Sequence, residues 1–175
     1  MKRHLIPLTL ALTLVAPLAW AHGKEKHDAM PMAPGRDTAS AVVSVAPAAA
    51  DAVATVERFS TALGTGDLTK AGAELDAAVL ILESGGVERS REEYLGGHAK
   101  HDAEFLKGAH TTLKRRTAQT SGDLAWVASE SEMHAMKGEE MLMIASTETM
   151  VLRKTDQGWK IAHIHWSSRR AGGDH

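Results

Sequence analysis

The chain of 175 residues contains no cysteine. That absence alone excludes disulfide staples, a thiol nucleophile and thiolate-bound zinc. A surplus of positive charge is missing as well: 20 Lys and Arg stand against 22 Asp and Glu, for a net charge of −2. With nothing in excess to neutralise phosphates, nucleic acid is excluded as a partner. Aromatic residues are scarce, at 4% of the chain, yet Trp126, Trp159 and Trp166 all fall in its second half. Beyond the N-terminal stretch no apolar run is long enough to span a membrane. What is present, 43% hydrophobic and 24% charged residues, fits one ordinary globular domain, and ten histidines are many for this length.

The N-terminus begins with the basic tip Lys2-Arg3-His4, continues as an apolar run from Leu5 to Leu18, and ends in Ala19-Trp20-Ala21. This is the pattern of a secretory signal peptide over residues 1–21, cleaved after Ala21. It predicts a periplasmic or secreted protein with no membrane partner after cleavage. Loss of Lys2 and Arg3 makes the mature chain two charges more negative. Residues 22–50 are rich in Ala and Pro and show no apolar periodicity, which predicts a flexible leader. After cleavage His22 offers an amine and an imidazole at one position. With His27, Met30 and Met32 it could take up copper, and a solvated leader without that role is the alternative.

From Asp51 the pattern changes. Val53, Val56, Phe59 and Leu63 form one stripe of an amphipathic helix, which Gly64-Thr65-Gly66 ends. Asp67 caps a second, short helix reaching about Leu75, and Val79–Leu82 reads as a strand. Ser90-Arg91-Glu92-Glu93 is a capping box opening a third helix to about Lys107, across the pair Gly96-Gly97. Four β segments follow, over 110–120, 124–137, 141–154 and 159–169, joined by hairpin turns. Their length predicts a strongly curved antiparallel sheet with bulges. Helices first and a curved sheet after them make an α+β domain over residues 51–170, followed by a disordered C-terminus over 171–175.

This order of elements resembles the nuclear-transport-factor-2-like superfamily. The closing hairpin, Thr147-Glu148-Thr149-Met150-Val151-Leu152-Arg153-Lys154 and then Gly158-Trp159-Lys160-Ile161-Ala162-His163-Ile164-His165-Trp166-Ser167-Ser168, is similar to that of its SnoaL-like branch. The resemblance implies a cone-shaped fold, with three N-terminal helices packed on the curved sheet around a cavity that holds a small-molecule ligand. It also implies a homodimer formed through the outer sheet face. The superfamily spans isomerases, hydrolases, binding proteins and assembly domains, so the branch does not name a reaction. Its ketosteroid-isomerase-like members use a carboxylate base with a Tyr/Asp oxyanion hole, and the single Tyr94 does not fall where that constellation requires it.

The candidate site residues come from spacing. His98 and Asp102 are four apart on the third helix and share a face, and His163 and His165 are two apart on the last strand. If that strand face looks into the cavity, the four converge. As catalytic groups, His98, Asp102 and His165 would transfer protons. As metal ligands, His98, Asp102, His163 and His165, with His22 and His27 from the leader, would take copper or zinc. The alternative is that the strand histidines only hydrogen-bond within the sheet or lie under a dimer interface. Glu148, set among apolar residues, needs a partner such as Arg115 or a cavity ligand. Tyr94, Trp126 and Glu148 join His98, His163 and His165 as ligand-contacting candidates. Glu130, Glu132 and His134 read as a solvated face of cross-strand ion pairs. Ligand binding without catalysis, acid–base chemistry of isomerase or hydrolase type, and copper or zinc binding all stay open at this point.

Overall fold

The computed structural model describes residues 40–171. The expected signal peptide, residues 22–39 of the expected leader and the last four residues lie outside it. In chain order the elements are β1 (Val42–Val45), a 3-10 turn (Pro47–Ala49), α1 (Ala50–Gly64), α2 (Leu68–Glu74), β2 (Leu75–Glu83), β3 (Gly86–Glu88), α3 (Arg91–Gly96), α4 (His98–Lys107), β4 (Ala109–Ser121), β5 (Leu124–Lys137), β6 (Glu140–Thr155) and β7 (Gly158–Arg170).

The helix signals act as their chemistry requires. The α1 stripe buries Val56, Phe59 and Leu63, with Val53 packed at its margin. Asp67 accepts a hydrogen bond from the Lys70 N–H at 3.0 Å and so caps α2. At the capping box, Ser90 Oγ accepts from Glu93 N–H at 3.0 Å, and the Glu93 carboxylate accepts from Arg89 N–H at 2.7 Å.

Four α-helices stand where three were expected, because the third breaks at its glycine pair. Gly97 leaves helical geometry, with φ −130° and ψ −90°, and separates α3 from α4. Each glycine in a helix interior costs about 1 kcal/mol relative to alanine, so two in succession make the break cheap.

The strands form one seven-stranded sheet in the order β1-β4-β5-β6-β7-β2-β3. The meander β4 to β7 is antiparallel as expected, with register shifts near Leu113 on β4 and at the β6–β7 pairing beside Leu152. The sheet as a whole is mixed rather than antiparallel: β1 runs parallel to β4, and β2 parallel to β7. Neither parallel pair is joined by a turn, so neither leaves a local signal. The strand β1 also shortens the expected leader, since Val42–Val45 pairs with Arg115–Ala118.

The inner sheet face and the helices share one core, in which Ile81, Met150, Leu152, Ile161 and Ile164 are fully buried beside Phe59 and Tyr94. Ile161→Ala is expected to cost about 2–5 kcal/mol, the usual range for emptying a buried aliphatic site. Urea unfolding checks this through a lowered midpoint at unchanged slope.

Candidate functional site

Where the helices leave the inner sheet face, a cavity of about 400 Å³ opens. Phe59 and Leu63 of α1, Phe105 and Leu106 of α4, Met133 of β5, Ile144 of β6 and Trp166 of β7 give it mostly apolar walls. Three carboxyl side chains face into it: Glu83, Asp102 and Glu148. Carboxyl groups in such walls are costly unless partnered or protonated, and each is handled differently here.

Asp102 sits on α4 one turn after His98. Its Oδ2 accepts a hydrogen bond from Tyr94 Oη at 2.8 Å, and its Oδ1 lies 3.8 Å from His98 Nε2. The other ring nitrogen of His98, Nδ1, is 2.8 Å from Glu88 Oε1 on β3. Tyr94, Asp102, His98 and Glu88 therefore form a chain from the buried core to the rim. Burial raises the Asp102 carboxyl above its ordinary range, only partly offset by the Tyr94 hydrogen bond and the nearby imidazole. Tyr94 itself is raised, by burial first and then by the Asp102 charge, and stays a hydrogen-bond donor. Burial alone would lower His98, but the hydrogen bond to Glu88 and the charge of Asp102 outweigh it and raise it.

Glu83 ends β2 opposite Trp166, on the inward side. Burial, then the Asp102 charge, raises its carboxyl. Glu83 Oε2 and Glu88 Oε2 are buried and find no hydrogen-bond partner among the described residues. Glu83, His98 and Asp102 can each turn one ligand atom to within 4.8 Å of the others, a donor set of one imidazole and two carboxylates. At the cavity's other polar point, Trp166 Nε1 donates to Glu148 Oε2 at 2.8 Å. The Trp166 indole also stacks on Phe59 at 6.4 Å between ring centroids and lies 6.2 Å from the Tyr94 ring. Deep burial raises the Glu148 carboxyl despite the Trp166 hydrogen bond and the Arg116 charge.

The chain matches the SnoaL-like domain family over residues 53–170. A Shewanella frigidimarina protein provisionally named a ketosteroid isomerase is 35% identical, with a TM-score of 0.65, over 73% of this chain and 100% of that one. This chain belongs to the SnoaL-like domain family. The fold also matches an NTF2-like protein of unknown function from Pseudomonas putida, at 19% identity and a TM-score of 0.59, over 69% of this chain and 85% of that one. The CaMKII hub of S. rosetta matches at 20% identity and a TM-score of 0.60, over 71% and 98%. No curated protein matches the chain at a significant level.

Of the expected site residues, the SnoaL-like domain brings together Tyr94, His98 and Asp102, and Glu148 lines the same cavity as Asp102. His163 and His165 do not join them. Ile164 is buried and Trp166 lines the cavity, so the alternating neighbours His163 and His165 lie on the outer face. His163 Nδ1 is bound there to the Leu80 carbonyl at 2.8 Å, and His165 is exposed. The four-way convergence therefore fails. Trp126 is 37% exposed on the outer face, away from the cavity. His22 and His27 lie outside the described residues. Arg115 pairs with Glu130 at 3.4 Å rather than with Glu148, whose partner is Trp166. Lys114 meets Glu132 across the two strands at 3.6 Å, the kind of cross-strand pair expected for this face, and His134 meets the same carboxylate along its own strand at 2.8 Å.

Glu83 and Glu88 were missed. The available signal was Glu83 itself, a carboxylate closing the apolar run Val79-Leu80-Ile81-Leu82 just before a turn.

Because the folded state holds Glu83 above its ordinary range, folding penalises the charged form. That penalty is absent while the group is protonated in both states and grows as pH rises past the ordinary carboxylate range. Glu83→Gln is thus expected to raise Tm at about pH 7.5 and to leave it unchanged near pH 3. Thermal melts across that range check the sign; an equal gain at both ends counts against the charge argument.

Proposed function

We propose that the SnoaL-like domain takes a compact, largely apolar molecule bearing a carbonyl group into its cavity and moves a proton on it. The supporting observation is that Asp102 and Glu148, two carboxyl groups raised by burial, face one apolar cavity. In this reading Asp102 takes a proton from the carbon beside the carbonyl. Its Oδ2 is held by Tyr94, which leaves Oδ1 toward the reacting carbon. His98, fixed by Glu88, balances the negative charge of Asp102 before the proton is taken, and that charge then passes to the substrate oxygen. Glu148, protonated through its burial, donates a hydrogen bond to the developing oxyanion. The proton then returns from Asp102 to the same or a neighbouring carbon. The provisional isomerase name of the Shewanella relative supports this class of chemistry.

The test is deuterium uptake from heavy water at the α-carbons of a panel of small cyclic ketones and enones, followed by NMR. Uptake is expected, with Asp102→Asn slowing it about 100-fold or more, the usual worth of a positioned base. The rate should rise with pH as Asp102 loses its proton and fall as the more deeply buried Glu148 ionises. Ligands that bind without exchange at any pH would return the domain to binding without catalysis.

A second reading rests on the unpartnered Glu83 Oε2: Glu83, His98 and Asp102 would hold a divalent ion such as zinc. Zinc-dependent shifts of the His98 imidazole, lost in Glu83→Gln, would favour it over proton transfer by the free carboxylate.

Export to the periplasm or medium and self-association belong to the same proposal. The signal pattern of residues 1–21 supports the first. Leu124 and Trp126, exposed on the outer sheet face, support the second. A native mass spectrum of the secreted chain checks both. A dimer of chains beginning at His22 is expected; a chain that keeps Met1, or a monomer, overturns the corresponding half.

A further inference from the structure

The outer sheet face carries a cluster that the cavity chemistry does not use. Ladder register sets His110 of β4 opposite His134 of β5, and His134 opposite Met143 of β6. Thr111, Met133 and Ile144, the inward neighbours of these residues, line the cavity, so His110, His134 and Met143 share the outer face. Residues directly opposite in neighbouring strands have Cβ atoms about 4.5–5.5 Å apart, which puts two imidazoles and a thioether in one row. Met136 and Met141 are paired to each other, one step along the same face.

These methionines are not core. Met136, Met141 and Met143 are 57%, 63% and 45% exposed, whereas Met150 is fully buried. Three thioethers in water within one hairpin carry an apolar cost that a packing role would have avoided. His134 is also held in place: its Nε2 lies 2.8 Å from Glu132 Oε1, and Lys114 Nζ balances that carboxylate at 3.6 Å from Oε2. A carboxylate on one ring nitrogen fixes the tautomer and leaves the other with its lone pair free, the usual support of a metal-bound histidine. Neutral imidazole and thioether donors suit a soft monovalent ion rather than a hard divalent one.

We propose that His110, His134 and Met143, with Met136 and Met141 beside them, form a Cu(I) site on the outer sheet face, separate from the cavity. Trp126 lies ten residues along β5 from Met136, roughly 33 Å at strand spacing, so contacts at the Trp126 end leave this site open.

The test uses the full mature chain with Ag(I) as a redox-inert probe, and Cu(I) in competition with a chromophoric chelator. In spectra of methyl-labelled methionine, one equivalent of Ag(I) is expected to shift Met143 and at least one of Met136 and Met141. Met133 in the cavity and buried Met150 should stay put. Leucine conserves methionine's volume, so the combined variant Met136→Leu, Met141→Leu, Met143→Leu should stay folded while its Cu(I) affinity falls at least tenfold. Glu132→Gln, acting through His134, should weaken binding by about 10–100-fold. Shifts confined to Met30 and Met32, unchanged affinity in the triple variant, or a triple variant that loses only its dimer mass would each overturn the site. Equal affinity for Zn(II) at the same resonances would overturn the choice of ion.

Discussion

The hydrogen bond from Tyr94 to Asp102 crosses the break between two helices, and the cavity's polar end depends on it. Without that bond, the glycine pair would leave α3 and α4 joined by a loose corner. With it, a fully buried phenol in one short helix fixes the rotation of the next. The same rotation turns His98 toward Glu88 and Asp102 toward the cavity, so one donor sets the orientation of two ionisable groups. The arrangement also stores an electrostatic cost. Glu83, Asp102 and Glu148 are all raised by burial around a single apolar space, and the chain tolerates this because its core lies deeper, along Ile81, Ile161 and Ile164.

Local patterns in the sequence carried the elements well. The α1 stripe, the Asp67 cap, the Ser90 box and the three hairpin turns are each decided within a few residues, and each is found where its chemistry places it. Contacts between distant segments were not legible. Nothing near Leu80 announces that it will lie beside His163, and nothing in Val42-Val43-Ser44-Val45 announces β4.

The histidines of β7 show a subtler limit. Their spacing puts both on one side, but which side depends on the register shift across Ala162. Trp159 and Ile161 are buried, and strict alternation from them would carry His163 and His165 inward. The shift reverses the parity, so Ile164 and Trp166 turn in instead. Conversely, His98 and Asp102 were placed on one helix face by spacing alone, and they keep it, although the expected helix breaks at Gly97 just before them. Glu83 lies one residue past the expected end of its strand, and Glu88 closes a strand of three residues that is too short to show a period.

The two faces of the sheet thus support different chemistries. Inside, carboxyl groups in apolar walls gain basicity and hydrogen-bonding strength from the loss of water. Outside, the ladder aligns neutral soft donors in solvent. One backbone serves both because successive side chains point to opposite faces, and residues adjacent in sequence, such as Met133 and His134, belong to separate sites.

The parallel pairing of β2 with β7 has a consequence for how the molecule comes into being. The last of the described strands, β7, is not an edge: it lies between β6 and β2, and joins residues 83 positions apart. Such long-range closure is slow, since the loop entropy is spent before the contacts form. Until β7 inserts, β6 and β2 have unpaired edges and the cavity lacks the Trp166 wall. The fold can therefore close only after β7 itself has been synthesised, and a chain truncated before Gly158 is left open along a sheet edge, a ready template for aggregation.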